Sequence, residues 1–186
     1  MITRVITLIG LPGSGKTTVG RQLAQRLNLS FVDSDHEIEL RIGCSIREFF
    51  EQEGESRFRD IEQEVLDILT QAGDQVLSTG GGAVLRPVNR LRLRQRGQVI
   101  YLKPSPEDLF LRLRHDTKRP LLQVEDPMQK IKALFAERDP LYREVAHLVV
   151  ETGRPSASKL VNKIMEHLAA PAMASSRPDS ASSHTR

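Results

Sequence analysis

Apolar positions along the chain fall into two periods. Val5 to Ile9 is a short β-branched run closed by Gly10, the pattern of a buried strand. From Lys16 to Leu27, the residues Val19, Leu23, Ala24 and Leu27 recur at helical spacing and predict an amphipathic helix. Leu29 to Val32 reads as a second strand, closed by Asp33-Ser34-Asp35. Ser45 and Glu48 form a capping box that opens a helix through about Glu53. A longer helix follows Gly54, with Phe58, Ile61, Val65, Ile68 and Leu69 on one face. Gln75 to Ser78 is a third strand running into Thr79-Gly80-Gly81-Gly82, and Pro87 suits the first turn of the next helix. Val99 to Leu102 is a fourth strand, and Ser105-Pro106-Glu107 opens a helix reaching about Arg114. His115 to Asp126 carries charge and a proline but no period, which predicts a mobile loop. A helix from Pro127 to about Glu137, a short one after Pro140, a fifth strand over Leu148–Val150 and a last helix over Ala157–Ala169 complete the pattern.

Strands alternating with helices over residues 1–170 predict an α/β domain, a parallel sheet with helices on both faces in three layers. Pro171 to Arg186 is rich in Ser, Ala and Pro, cannot build a core, and is expected to be a disordered tail. Hydrophobic residues make up 39% and charged residues 27% of 186, which fits one globular domain. No apolar run approaches the roughly 20 residues that cross a membrane, and MITRVITLIG is interrupted too soon for a signal peptide. A cytoplasmic chain is the resulting expectation. Cys44 is the only cysteine and the five histidines lack ligand spacing, so a disulfide within the chain and a Cys/His metal site are excluded. The net charge of +3 is mild. The basic stretch from Arg90 to Arg96 alternates with leucines and reads as a solvated helix face rather than a nucleic-acid patch.

One motif decides the class of chemistry. Gly10-Leu-Pro-Gly13-Ser14-Gly15-Lys16-Thr17 matches G-x-x-x-x-G-K-[ST] without departure, between an apolar strand and an amphipathic helix. Its glycines let consecutive N–H groups face phosphates, and the helix N-terminus adds positive potential. Lys16 supplies a compact charge for the β- and γ-phosphates, and the Thr17 hydroxyl can hold Mg²⁺. No N-K-x-D guanine reader is present: Asn162-Lys163-Ile164-Met165 lacks the Asp and falls within the last helix.

Further residues bear on the acceptor. Alternation in an extended segment would point the Asp33 and Asp35 carboxylates the same way, into the crevice at a strand's carboxyl end. One could serve a metal shell and the other accept a hydroxyl proton; equally, Asp35 could merely cap the helix that follows. Three successive glycines after a strand suggest close approach to a ligand, or a simple turn. In Arg57-Phe58-Arg59, Arg57 reads as solvated. Arg119, in the loop, could fold over a transferring phosphate. Arg138 could reach back into the cleft or satisfy helix-terminal carbonyls.

Taken in order behind the P-loop, the D-x-D at 33–35, Phe58-Arg59, Thr79-Gly80-Gly81-Gly82, Arg119-Pro-Leu-Leu122 and Arg138-Asp-Pro-Leu-Tyr142 resemble shikimate kinase from about residue 5 to 155. The resemblance implies a five-stranded parallel sheet of order 2-3-1-4-5, with substrate-binding helices over about 36–62 and a lid over about 115–126. It implies transfer of the ATP γ-phosphoryl group to the 3-hydroxyl of shikimate, with one Mg²⁺ per subunit, in a monomer that binds neither nucleic acid nor membrane. Gly13, Ser14, Gly15, Lys16, Thr17 and Thr18 would cradle the phosphates, with Thr17 and Asp33 on Mg²⁺. Asp35 would hold the substrate hydroxyls and act as base. Arg59 and Arg138 would pair with the carboxylate, and Gly81 would offer backbone contact. Arg119 would close over the nucleotide, while Arg112 and Arg154 would flank the adenine. Gluconate kinase, or a P-loop switch that is not a kinase, remains the alternative.

Overall fold

A computed structural model describes residues 5–114, 125–153 and 155–174. Five strands run as β1 (Val5–Ile9), β2 (Ser30–Asp33), β3 (Gln75–Ser78), β4 (Gly97–Lys103) and β5 (Leu148–Glu151). Seven helices are described: α1 (Lys16–Leu27), α2 (Ser34–Ile42), α3 (Ile46–Leu69), α4 (Pro87–Arg96), α5 (Pro106–Leu113), α6 (Pro127–Val145) and α7 (Ala157–Ala174). The strands form one sheet of order β2-β3-β1-β4-β5, every neighbouring pair parallel. This is the expected fold and strand order.

The period-two rule divides the core. Ile6, Leu8, Ile100 and Leu102 point to one face, where Val19 and Leu23 of α1 and Leu160, Val161 and Ile164 of α7 cover them. Ile9, Val99 and Tyr101 point to the other, against Leu93 of α4, Leu109 of α5 and Ile131, Tyr142 and Val145 of α6. On that same side, Val5 and Leu77 pack on Leu66 of α3. Both faces of β1 are therefore buried, which is why it reads as an unbroken apolar run.

The connection from β1 leads to α1 on one face, and the connection from its neighbour β3 leads to α4 on the other. Adjacent strands whose chains leave to opposite faces open a crevice at their carboxyl ends. The P-loop and the triple glycine are the two lips of that crevice.

Several expectations change. The arginines of α4 are tied to neighbouring helices, although Arg94 stays exposed. Arg90 and Arg94 bind Glu144 side-chain and backbone oxygens near the end of α6, and Arg92 and Arg96 reach Asp67 of α3. Leu93 is buried, whereas Leu91 is exposed. Pro140 does not split α6, because Ile131 before it and Tyr142 and Val145 after it are packed into the same cluster. The two helices expected on either side of Gly54 are both present within α3: they meet at a kink at Gly54, whose φ of 80° turns the chain. The last helix runs to Ala174, four residues into the expected tail, and 175–186 lie outside the described residues. The expected loop falls mainly at 115–124, also outside them.

Candidate active site

The cleft holds about 600 Å³ and is lined by the P-loop, Asp33, Asp35, Ile46 and the segment Ser78–Gly81. Gly10, Gly13 and Gly15 adopt φ of 146°, 82° and 94°, backbone that side chains disfavour, so the loop curls only because those positions are glycine. Gly15 is the N-cap of α1 and no side chain caps that helix end, which leaves its first N–H groups for an anion. Lys16 Nζ donates to Gly10 O at 2.8 Å, Leu11 O at 3.0 Å and Ser14 Oγ at 3.4 Å. Its ammonium thus sits inside the loop that carries it. Gly13, Gly15, Lys16, Thr17 and Thr18 line the cleft, whereas Ser14 is buried behind them.

The two aspartates reach the cleft by a different route from strand alternation. β2 ends at Asp33 and α2 begins at Ser34, so Asp35 lies in the first turn of a helix. Asp33 is the cap: its Oδ1 accepts the Asp35 N–H at 3.0 Å. Its Oδ2 accepts the Thr17 hydroxyl at 3.3 Å. The cap that might have explained Asp35 is therefore supplied by its neighbour, and the Asp35 carboxylate is left to face the cleft. Burial, then the negative charges of Asp33 and Glu62, push the Asp35 carboxyl up from 3.8 to about 6, against the pull of Lys16.

None of Gly80, Gly81 and Gly82 has positive φ, so close approach is what requires them. A Cβ on Gly80 would strike the Asp35 carboxylate, one on Gly81 would strike Pro12 and approach Arg138, and one on Gly82 would strike the Arg59 guanidinium. The three glycines thus admit, side by side, an acid and two arginines. Ser34 Oγ accepts the Gly80 N–H at 3.2 Å and holds this segment to α2.

Arg59 is clamped by Glu62 at 2.8 Å and Glu55 at 3.0 Å, and its guanidinium lies 5.1 Å from the Phe58 ring centroid. Glu62 is 1% exposed. Burial raises its carboxyl, while Arg59, Arg138 and Arg86 pull it down. Arg138 does not serve a helix terminus; it sits within α6, and its buried Nε has no hydrogen-bond partner, the nearest carboxylate being Glu137 at 3.8 Å. An unsatisfied guanidinium nitrogen carries a desolvation cost that an anionic ligand would relieve. Arg57 is exposed, as expected.

Arg112, in the last turn of α5, lies on the flank of the P-loop and donates to Gly13 O at 3.4 Å and to Thr152 O. It links the loop to the segment after β5, away from the acceptor side. Arg119 and Arg154 lie outside the described residues.

Glu62, which no motif includes, and Tyr142, which closes the Arg138–Tyr142 motif without an assigned role, both carry structure at the site. Glu62 shares a face with Phe58 and Val65, and an acid in an apolar stripe three residues after an Arg was a usable signal. Tyr142 donates to Gly81 O at 2.6 Å, a contact between residues 61 positions apart that no local pattern announces.

A P-loop facing a carboxylate and two arginines across a topological switch point defines a P-loop phosphotransferase. A family model described as shikimate kinase matches residues 12–169, and the chain belongs to the shikimate kinase family. The shikimate kinase of Paracidovorax citrulli is 58% identical over 166 residues, 88% of this chain and 89% of that one. That of Ralstonia nicotianae is 56% identical over 163 residues, covering 88% and 86%. Among solved structures, a shikimate kinase from Acinetobacter baumannii in complex with shikimate matches with a TM-score of 0.86 at 48% identity, over 91% of this chain and 94% of that one. A gluconokinase from Sinorhizobium meliloti, with a TM-score of 0.59 at 17% identity over 95% and 99%, shares the fold.

Proposed function

We propose that this chain transfers the γ-phosphoryl group of ATP to the 3-hydroxyl of shikimate, giving 3-phosphoshikimate and ADP. The observation that carries the reading is the acceptor side of the cleft, where Asp35 stands at Gly80 and two arginines stand at Gly81 and Gly82. Shikimate is a small triol with one carboxylate. Arginine suits the carboxylate and an aspartate suits the hydroxyls. Support for the carboxylate side comes from the buried Arg138 Nε, which has no hydrogen-bond partner, and from Arg59, which Glu62 holds in place.

In this mechanism Arg59 and Arg138 receive the carboxylate and set the ring's orientation. Asp35 accepts a hydrogen bond from the acceptor hydroxyl and takes its proton as the oxygen attacks the γ-phosphorus. A carboxyl raised to about 6 is a stronger base than an ordinary aspartate and is still mostly ionised at neutral pH. Lys16 leaves its loop carbonyls for the β- and γ-phosphates and offsets charge that builds as the bridging bond breaks. Arg119 would supply further positive charge to the phosphates, and Arg112 and Arg154 would serve the adenine.

The Thr17 hydroxyl and Asp33 carboxylate, 3.3 Å apart beside the phosphate cradle, are hard oxygen donors of the kind Mg²⁺ takes. No cluster of three or more ligating acids, histidines or cysteines exists among the described residues. This suits an ion that keeps water and phosphate in most of its shell. Bound there, Mg²⁺ would neutralise phosphate charge. The working unit is a kinase domain that reaches the end of α7 at Ala174, a monomer that needs neither nucleic acid nor membrane. No described helix is long and apolar enough to cross a bilayer, and a cytoplasmic setting agrees with the substrates.

A coupled ADP-release assay across shikimate, gluconate and nucleoside monophosphates tests the reading. Turnover with shikimate alone is expected. Equal or faster turnover with gluconate or a nucleotide would reassign the acceptor.

A further inference from the structure

Tyr142 lies one turn after Arg138 on α6, so both side chains leave the same face of the helix. Both reach Gly81. Arg138 Nη1 is 3.5 Å from where a Cβ on Gly81 would stand, and the Tyr142 hydroxyl donates to Gly81 O at 2.6 Å. Tyr142 is fully buried, and burial holds its phenol far above the ordinary range, so it remains a donor at any working pH. Its ring is braced from the sheet. Tyr101 of β4 lies 4.9 Å away, centroid to centroid, and its own hydroxyl donates to Asp139 Oδ1 at 2.9 Å. Arg143 holds the other Asp139 oxygen at 2.8 Å. The phenol that meets Gly81 is therefore held at its hydroxyl by the loop and at its ring by Tyr101.

A carbonyl and the N–H of the same trans peptide point in opposite directions. Drawing Gly81 O toward α6 turns the Gly82 N–H away from it. Neither the Gly81 nor the Gly82 N–H donates to any described residue. The peptide lies where Arg138 reaches Gly81 and Arg59 reaches Gly82. A buried tyrosine needs some partner, and any carbonyl would serve. This one bonds Gly81, which lines the cleft beside Arg138.

We propose that Tyr142 is a positioning residue for the acceptor: its phenol fixes the Gly81–Gly82 peptide and so holds the glycine loop in place between Arg59 and Arg138, the two groups that receive the substrate carboxylate. The proposal rests on the shikimate reading above. It also explains why one helix carries both groups, since any movement of α6 shifts the arginine and the peptide together.

Tyr142→Phe keeps the ring against Tyr101 and removes only the hydrogen bond. Steady-state kinetics should show the KM for shikimate rising about tenfold, with kcat and the KM for MgATP each within about twofold. Shikimate methyl ester, which lacks the carboxylate charge, should show little further loss in the variant. An unchanged shikimate KM, a parallel rise in the MgATP KM, or an equal penalty on the ester would each overturn the proposal. If the wild-type chain does not phosphorylate shikimate, the acceptor assignment itself fails, and that is seen before any variant is made. Should Tyr142→Phe not fold, the chain's two tyrosines allow a second measurement. In Tyr101→Phe labelled with 3-fluorotyrosine, the single fluorine signal should shift on adding shikimate and stay in place on adding an ATP analogue. A signal indifferent to shikimate would overturn the proposal.

Discussion

Replacing Asp35 with Asn should raise thermal stability and remove most turnover at once. The folded chain holds the Asp35 proton more tightly than the unfolded chain, with a pKa of about 6 against 3.8. Stability tied to this group is therefore full below pH 3.8 and is lost as pH climbs through about 6. Two units correspond to about 3 kcal/mol. Water in the open cleft screens Asp33 and Glu62 from Asp35, so we take about 1–2 kcal/mol as the gain on removing the charge at pH 7. For a chain of this length that is a rise in Tm of roughly 2–8 °C. Helix capping does not interfere, because Asp33 rather than Asp35 caps α2. Asn can accept the substrate hydroxyl's hydrogen bond but cannot take its proton, so kcat should fall about a hundredfold or more. Paired melts of wild type and variant from pH 4 to 8 give the first quantity and the coupled assay gives the second. The gap in Tm should be widest near pH 8 and close toward pH 4. A variant that melts with wild type at every pH, or that turns over at near-normal rate, would refute the reasoning from buried charge to base.

Lys16→Met keeps the bulk of the side chain but removes the charge within reach of the phosphates; turnover should fall at least about a hundredfold with the fold intact, as read by kcat and circular dichroism. Arg59→Ala and Arg138→Ala should each cost about 2–5 kcal/mol in kcat/KM for shikimate and leave ATP affinity nearly unchanged, so loss of ATP binding alone would move these residues to the other ligand. Glu62→Ala strips the buried partner from Arg59 and should destabilise the chain by about 3–5 kcal/mol in urea melts. Glu62→Gln removes one of the charges that raise Asp35, so the pH midpoint of the Asp35-dependent stability change should move down.

Much of this protein is local, and local features are legible in sequence. The P-loop needs glycines at positive φ between a buried strand and a helix, and those requirements are written within eight residues. The α1 limits and the cap at Ser45 follow from apolar period and side-chain chemistry within one turn. Strand alternation follows because each run must bury its apolar faces. Other choices involve residues far apart in the chain. Asp33 and Asp35 share a short segment, but which one caps α2 depends on where β2 stops pairing with β3. The arginines of α4 look solvated until α3 and α6 bring Asp67 and Glu144 to them. The triple glycine reads as a turn or a ligand contact. Only the packed chain shows that the missing Cβ atoms make room for Asp35, Arg138 and Arg59, which arrive from three different helices. Sequence by itself determined the phosphate cradle and the layered fold, because hydrophobic period and glycine geometry act over a few residues. Tertiary structure alone decided the acceptor pocket, because its charges meet only after burial has brought α2, α3 and α6 around one short loop.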